Sequence, residues 1–190
     1  MQPLTLRSYF KRRIAIALVV VFLCLLVFVY AMQITSVLVS TDEAMRARVQ
    51  YAIDTDALEQ WDSYMSRFFS QKYLESGELQ KLRTAYENIN VTGYVQLAST
   101  QWVWTWPWGG SAYVKVHEKV NGITGDVLDE EKNGGIPSWP SGLYALTLEK
   151  HKGAWIVTSM QLLSLDPPTP TPQPTPTLLP TSVTTPKTTK

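Results

Sequence analysis

The chain has 190 residues and a formal net charge of +1, enough for one ordinary domain with appendages. Arg7, Lys11, Arg12 and Arg13 precede every acidic residue, and from Gln33 onward 13 basic residues face 16 acidic ones, which is no footprint for nucleic acid. The only cysteine is Cys24, which excludes a disulfide within the chain and a cysteine zinc site; His117 and His151 stand far apart, so neither a metal nor another cofactor is expected.

Residues 1–13 form a basic segment. After it, Ile14 to Met32, "IAIALVVVFLCLLVFVYAM", runs for 19 residues without a charge or a strongly polar side chain. As a helix it would measure about 28 Å, matching a hydrocarbon core of about 30 Å. No polar face interrupts it, unlike a helix of a soluble core. The competing reading is a cleaved signal peptide with its cut after Ala31, but the apolar stretch exceeds the usual ~7–15 residues. The sequence therefore predicts a transmembrane helix over 14–34. Arg7, Lys11, Arg12 and Arg13 before the span, against Asp42 and Glu43 after it, predict a cytoplasmic N-terminus and an external remainder at the cell membrane.

Residues 40–165 read as one α+β domain. A helical stretch from Thr41 to about Ile53, carrying Arg46 and Arg48, continues outward from the span. Asp56 to Glu59 offers a capping box, and Leu58, Trp61, Met65 and Phe68 follow at helical spacing. Ser76-Gly77 is a stop, and a further helix over about 78–88 would bury Leu79, Leu82 and Tyr86. The period then changes from 3.6 to 2. Val91, Val95 and Leu97 open a strand, "QWVWTW" continues it, and Pro107 with Gly109-Gly110 ends it. "SAYVKVHEKV" sets Val114 and Val116 on one face and Lys115, His117 and Lys119 on the other, with Asn121-Gly122 as punctuation. An irregular loop over about 125–141 leads to a closing hairpin that turns at Lys150 to Gly153. Asp166 to Lys190 holds eight of the twelve prolines and nine threonines, the composition of a disordered extended spacer.

"RFFSQKYLESGEL" on the helical side and the hairpin "YALTLEKHKGAWIVTSMQLL" resemble the NTF2-like (SnoaL-like) cone fold over about 54–165. The resemblance implies helices packed on one face of a curved antiparallel sheet; a cystatin-like helix-on-sheet fold is the alternative. Joined to one membrane span, the layout is similar to VirB8-like and TcpC-like subunits of secretion and conjugation machines. That likeness implies a scaffold role through protein contacts, self-association included.

An enzyme of the NTF2-like kind would place an Asp/His or Asp/Tyr set inside the cone. Here His117 falls on the lysine face of its strand and His151 in a turn. Asp62 and Tyr64, on the amphipathic helix, are the residues that could border a cavity, and solvated helix positions explain them equally well. No activated nucleophile is visible, so no catalytic residue is assigned. Asp129-Glu130-Glu131 lacks the alternating spacing of a calcium loop.

Trp102, Trp104, Trp106 and Trp108 fall at every second position of "QWVWTWPWGG". The first three share a strand face and are expected in the core beneath the helices, because an indole buries up to ~250 Å². Trp108 and Trp139, both beside prolines, are expected to rim a ligand-binding mouth. The expected role is non-catalytic: binding a partner protein or an envelope ligand, with a machine subunit and a carbohydrate or small-ligand binder as alternatives.

Overall fold

The computed structural model describes residues 6–54, 58–129 and 135–167. The capping box at Asp56, the acidic pair Glu130-Glu131 and the Pro/Thr tract from Pro168 onward lie outside the described residues. Helix α1 (Leu6–Ile53) is followed by three short helices, α2 (Leu58–Met65), α3 (Gln71–Leu74) and α4 (Glu78–Tyr86). Four strands complete the described residues: β1 (Ile89–Thr105), β2 (Ser111–Val127), β3 (Gly142–His151) and β4 (Ala154–Leu165). They form one antiparallel meander in the order β1-β2-β3-β4.

The apolar stretch and the following helical stretch form a single helix of 48 residues, about 72 Å long. Nothing in Leu6–Ile53 breaks it, since that segment contains neither glycine nor proline. Thr35 and Thr41 turn their hydroxyls back onto the carbonyls of Ala31 and Val37, so neither polar group interrupts the helix. Its two halves differ sharply. From Ile14 to Met32 most of the large apolar side chains are exposed, and the segment is long and apolar enough to cross a membrane. From Val37 onward a stripe of Val37, Thr41, Ala44, Met45, Arg48, Val49 and Ala52 is buried. Its spacing of three and four residues is one helix face.

That face lies against one side of the sheet. Ala112, Val114 and Val116 of β2, Tyr144, Leu146 and Leu148 of β3, and Trp155, Val157 and Met160 of β4 meet it, with Trp61, Met65, Phe69 and Leu79 closing the core. The amphipathic segment from Leu58 to Phe68 is not one helix: it ends at Met65, and Phe69 forms a parallel bridge with Val157. Ser70 N–H donates to the Val157 carbonyl and Val157 N–H to that of Phe68, which covers the outer edge of β4.

Two turn signals resolve differently. Lys152 (φ 50°) and Gly153 (φ 92°) form the two-residue hairpin turn expected there, both residues at positive φ as a type I′ turn requires. Asn121-Gly122 ends nothing: β2 runs on to Val127, and Gly122 (φ 61°) sits in a register shift opposite Gly93 and Val95.

The tryptophans require a correction. Trp102, Trp104 and Trp106 are not core; they are 48%, 45% and 56% exposed. The reason is a β-bulge. Thr100 pairs with Val116 and Trp102 with Lys115, so Gln101 is an extra residue in β1. Before the bulge the odd positions Val95 and Leu97 point outward and Gln96 inward. After it the parity reverses, so Trp102 and Trp104 point outward while Val103 and Thr105 face the helices.

A smaller core lies beyond, where Tyr86 and Trp139 pack with Val49, Ala52, Ile53, Ile89 and Val120. Tyr86 Oη donates to the Pro137 carbonyl at 3.1 Å, and burial pushes its phenol up to about 12. A folded value above the ordinary 10.0 contributes stability that is complete below pH 10 and lost as pH rises through about 12. Unfolding measured across that window should show Tyr86→Phe losing less stability than the parent chain.

Candidate functional site

Two places in the domain combine unusual chemistry with defined geometry: a buried polar cluster and an exposed aromatic face. In the first, Glu118 of β2 is fully buried on the helix side of the sheet. Arg48 of α1 forms an ion pair with its Oε2, and the Trp139 indole N–H donates to the same oxygen at 3.1 Å. Gln96 Nε2 donates to Oε1 at 3.1 Å and to the Met45 carbonyl at 3.0 Å. The Arg48 guanidinium lies 5.2 Å from the Trp139 ring centre and 4.8 Å from that of Tyr144, and it donates to Tyr144 Oη at 3.4 Å.

Burial pushes the Glu118 carboxyl above the usual carboxylate range, against the pull of Arg48, Trp139 and Gln96. Burial also opposes the charge on Arg48, but Glu118 and Tyr144 outweigh it and hold its pKa above the ordinary value. Burial likewise raises the Tyr144 phenol, with Arg48 opposing. Both oxygens of Glu118 accept from protein donors. The cluster fastens α1 to β1, β2 and the loop that carries Trp139.

Both charged members have a signal in the sequence. In "SAYVKVHEKV" Glu118 has the parity of Val114 and Val116, so it belongs to the inward face. Arg48 falls at helical spacing from Met45 and Ala52. Their pairing spans 70 residues and no local pattern encodes it.

The expected mouth of Trp108 and Trp139 is not formed. Trp139 is buried beside Arg48, whereas Trp108 stands 72% exposed in the β1–β2 turn, whose Pro107 touches Gln33. Gln33 and Arg48 are 15 residues apart on one helix, about 22 Å. Tyr64 packs edge-on between Trp61 and Phe68, at 5.3 and 5.1 Å between ring centres. It also borders an open concavity of about 650 Å³ with Glu43, Arg46, Gln50 and His151. Asp62 is in α2, with its side chain outside the described residues. His117 lies on the outward face as its parity predicts, yet it is half-buried, with Nε2 2.8 Å from Asp166 Oδ1. Among the described residues no group of three His, Cys, Asp or Glu side chains is placed to hold a metal ion.

The second place is the outward face of β1 and β2. Val95, Leu97, Trp102, Trp104 and Tyr113 are all exposed there, and Trp104 pairs across the strands with Tyr113. Lys115, opposite Trp102, holds its ammonium 6.0 Å from that ring. The row continues past the strand, with ring centres of Trp104, Trp106 and Trp108 at successive distances of 6.2 Å. No protein-family model, curated protein or solved structure matches this chain.

Proposed function

We propose that this chain is a single-pass membrane protein presenting an NTF2-like, extracytoplasmic docking domain, with a binding or scaffolding role and no chemistry of its own. One observation carries the reading: the apolar half of α1 and the helix at the centre of the domain core are one uninterrupted helix. A domain built on the continuation of its anchor is held at a fixed height and tilt, which suits a scaffold better than a tethered enzyme. The basic residues Lys11, Arg12 and Arg13 before the apolar stretch favour a cytoplasmic N-terminus. The apolar outward face around Val95, Leu97, Trp102, Trp104 and Tyr113 is the surface a partner protein or envelope ligand would use.

The test is cross-linking of the tagged full-length protein in its native membrane, with a photoreactive residue at Leu97 or Tyr113 and mass spectrometry of the products. A defined set of envelope proteins, joined by contacts at these two positions, is the expected result. It would also favour the secretion- or conjugation-subunit form of the reading. Recovery of the protein alone, with no product from either position, would overturn a scaffold role.

A further inference from the structure

The β1–β2 turn and Lys150 of β3 lie beside α1 where its apolar run stops. Gln33 Nε2 donates to the Pro107 carbonyl at 3.4 Å, and Gln33 follows directly on Met32, the last residue of the uncharged stretch. Lys150, at the end of β3, shares a small concavity with Phe28, Val29, Met32 and Gln33. A hydrogen bond of 2.7 Å from Lys150 N–H to the Gly110 carbonyl joins the two. Trp106 and Trp108 flank Pro107, 56% and 72% exposed.

These contacts fix a height. If α1 spans a bilayer, a stretch of about 28 Å fills a hydrocarbon core of about 30 Å, so Gln33 sits at its boundary. Pro107 is then at that boundary as well. The headgroup layer beyond it is about 5–8 Å thick on each side. Trp106 and Trp108 adjoin Pro107, whereas Trp102 is five residues back along β1, at most about 16 Å away at about 3.3 Å per residue, and so stands farther from that boundary.

We infer that Trp106 and Trp108 seat in the phospholipid headgroup layer beside the protein's own anchor, with Lys150 reaching a lipid phosphate, as a second membrane attachment. An indole is favoured at this depth because its ring is apolar and its N–H still finds a polar partner. The Lys150 stem can lie along apolar surface while its ammonium group meets phosphate, and Glu149 is the opposing charge on the same hairpin. Two attachments fix the rotation of the domain about α1, so the face around Leu97 and Trp102 points in one direction above the membrane. The inference rests on α1 spanning a bilayer, but not on which side the domain lies.

The test uses the full chain reconstituted in phosphatidylcholine–phosphatidylglycerol vesicles whose upper acyl carbons carry bromine, a contact quencher of indole emission. Trp106→Phe/Trp108→Phe is compared with the parent; both rings are exposed, so circular dichroism should be unchanged. Flotation of the vesicles in alkaline carbonate tests the span separately. The expected result is flotation of both proteins, with a bromine-quenched component of emission, up to about two-sevenths of the total for two of seven tryptophans, that the variant lacks. Equal quenching in parent and variant, with Trp106 and Trp108 open to acrylamide from the water side, would overturn the inference and leave the span intact. Protection of the two rings from both quenchers would overturn it in favour of a protein cover, such as a second copy. Loss of flotation in carbonate would remove the span, and this inference with it.

Discussion

Glu118→Ala should cost about 3–5 kcal/mol, the range for breaking a buried ion pair by removing one partner. The change does more than remove an attraction. It leaves the Arg48 guanidinium buried between Trp139 and Tyr144 without its counter-charge, and it strips the acceptor from the Trp139 indole and from Gln96. At a solvated pair the same substitution would cost about 1 kcal/mol or less. Arg48→Ala should also be strongly destabilising, because Glu118 would be left buried without its counter-charge and with only the two neutral donors. The two changes should not add. Arg48→Met/Glu118→Leu, which fills similar volume without charge, is expected to recover most of the loss. Urea unfolding of the detergent-solubilised chain, followed by tryptophan emission, measures all four proteins. A cost below about 1 kcal/mol for Glu118→Ala would mean that water reaches the pair.

The second large effect concerns where the domain begins. A chain starting at Asp54, after α1, is expected to show no cooperative unfolding transition. It lacks Val37, Ala44, Met45, Ala47, Val49, Ala52 and Ile53, the buried stripe onto which the sheet packs, and Arg48 with them. The inward side chains of β2 and β3 would then face water. A chain starting at Ile34 keeps that stripe and is expected to fold, unfolding in one transition by calorimetry or urea. A cooperative transition in the shorter chain would show that α1 is dispensable and that the sheet and short helices fold without it. Between these starting points, Thr41→Pro should break α1 within its buried half, at about 3 kcal/mol or more.

Much of the layout is legible from local pattern. Nineteen residues without a charge make a stretch long and apolar enough to cross a membrane, and the absence of glycine and proline from Leu6 to Ile53 allows one continuous helix. Gly77, at φ 76°, starts α4 where Ser76-Gly77 predicts a break. The closing hairpin turns at Lys152-Gly153 within the predicted Lys150 to Gly153. These features depend only on neighbours in sequence, and the sequence by itself determines them.

The candidate site is different, because each of its parts depends on partners distant in the chain. Alternation places Trp102 and Trp104 on one face of a strand, but it cannot say which face is inside. One extra residue, Gln101, reverses the parity of everything after it, and a bulge of this kind is visible only through its partners Val116 and Lys115. Glu118 shares the parity of the buried valines, yet only the packing of α1 shows that an arginine waits there, 70 residues away. Trp108 and Trp139 look alike in sequence, each beside proline. The tertiary structure separates them, one under a buried ion pair and the other beside the end of the apolar helix. Composition and periodicity state what each segment must bury; which surface it is buried against is decided only when α1 and the sheet meet.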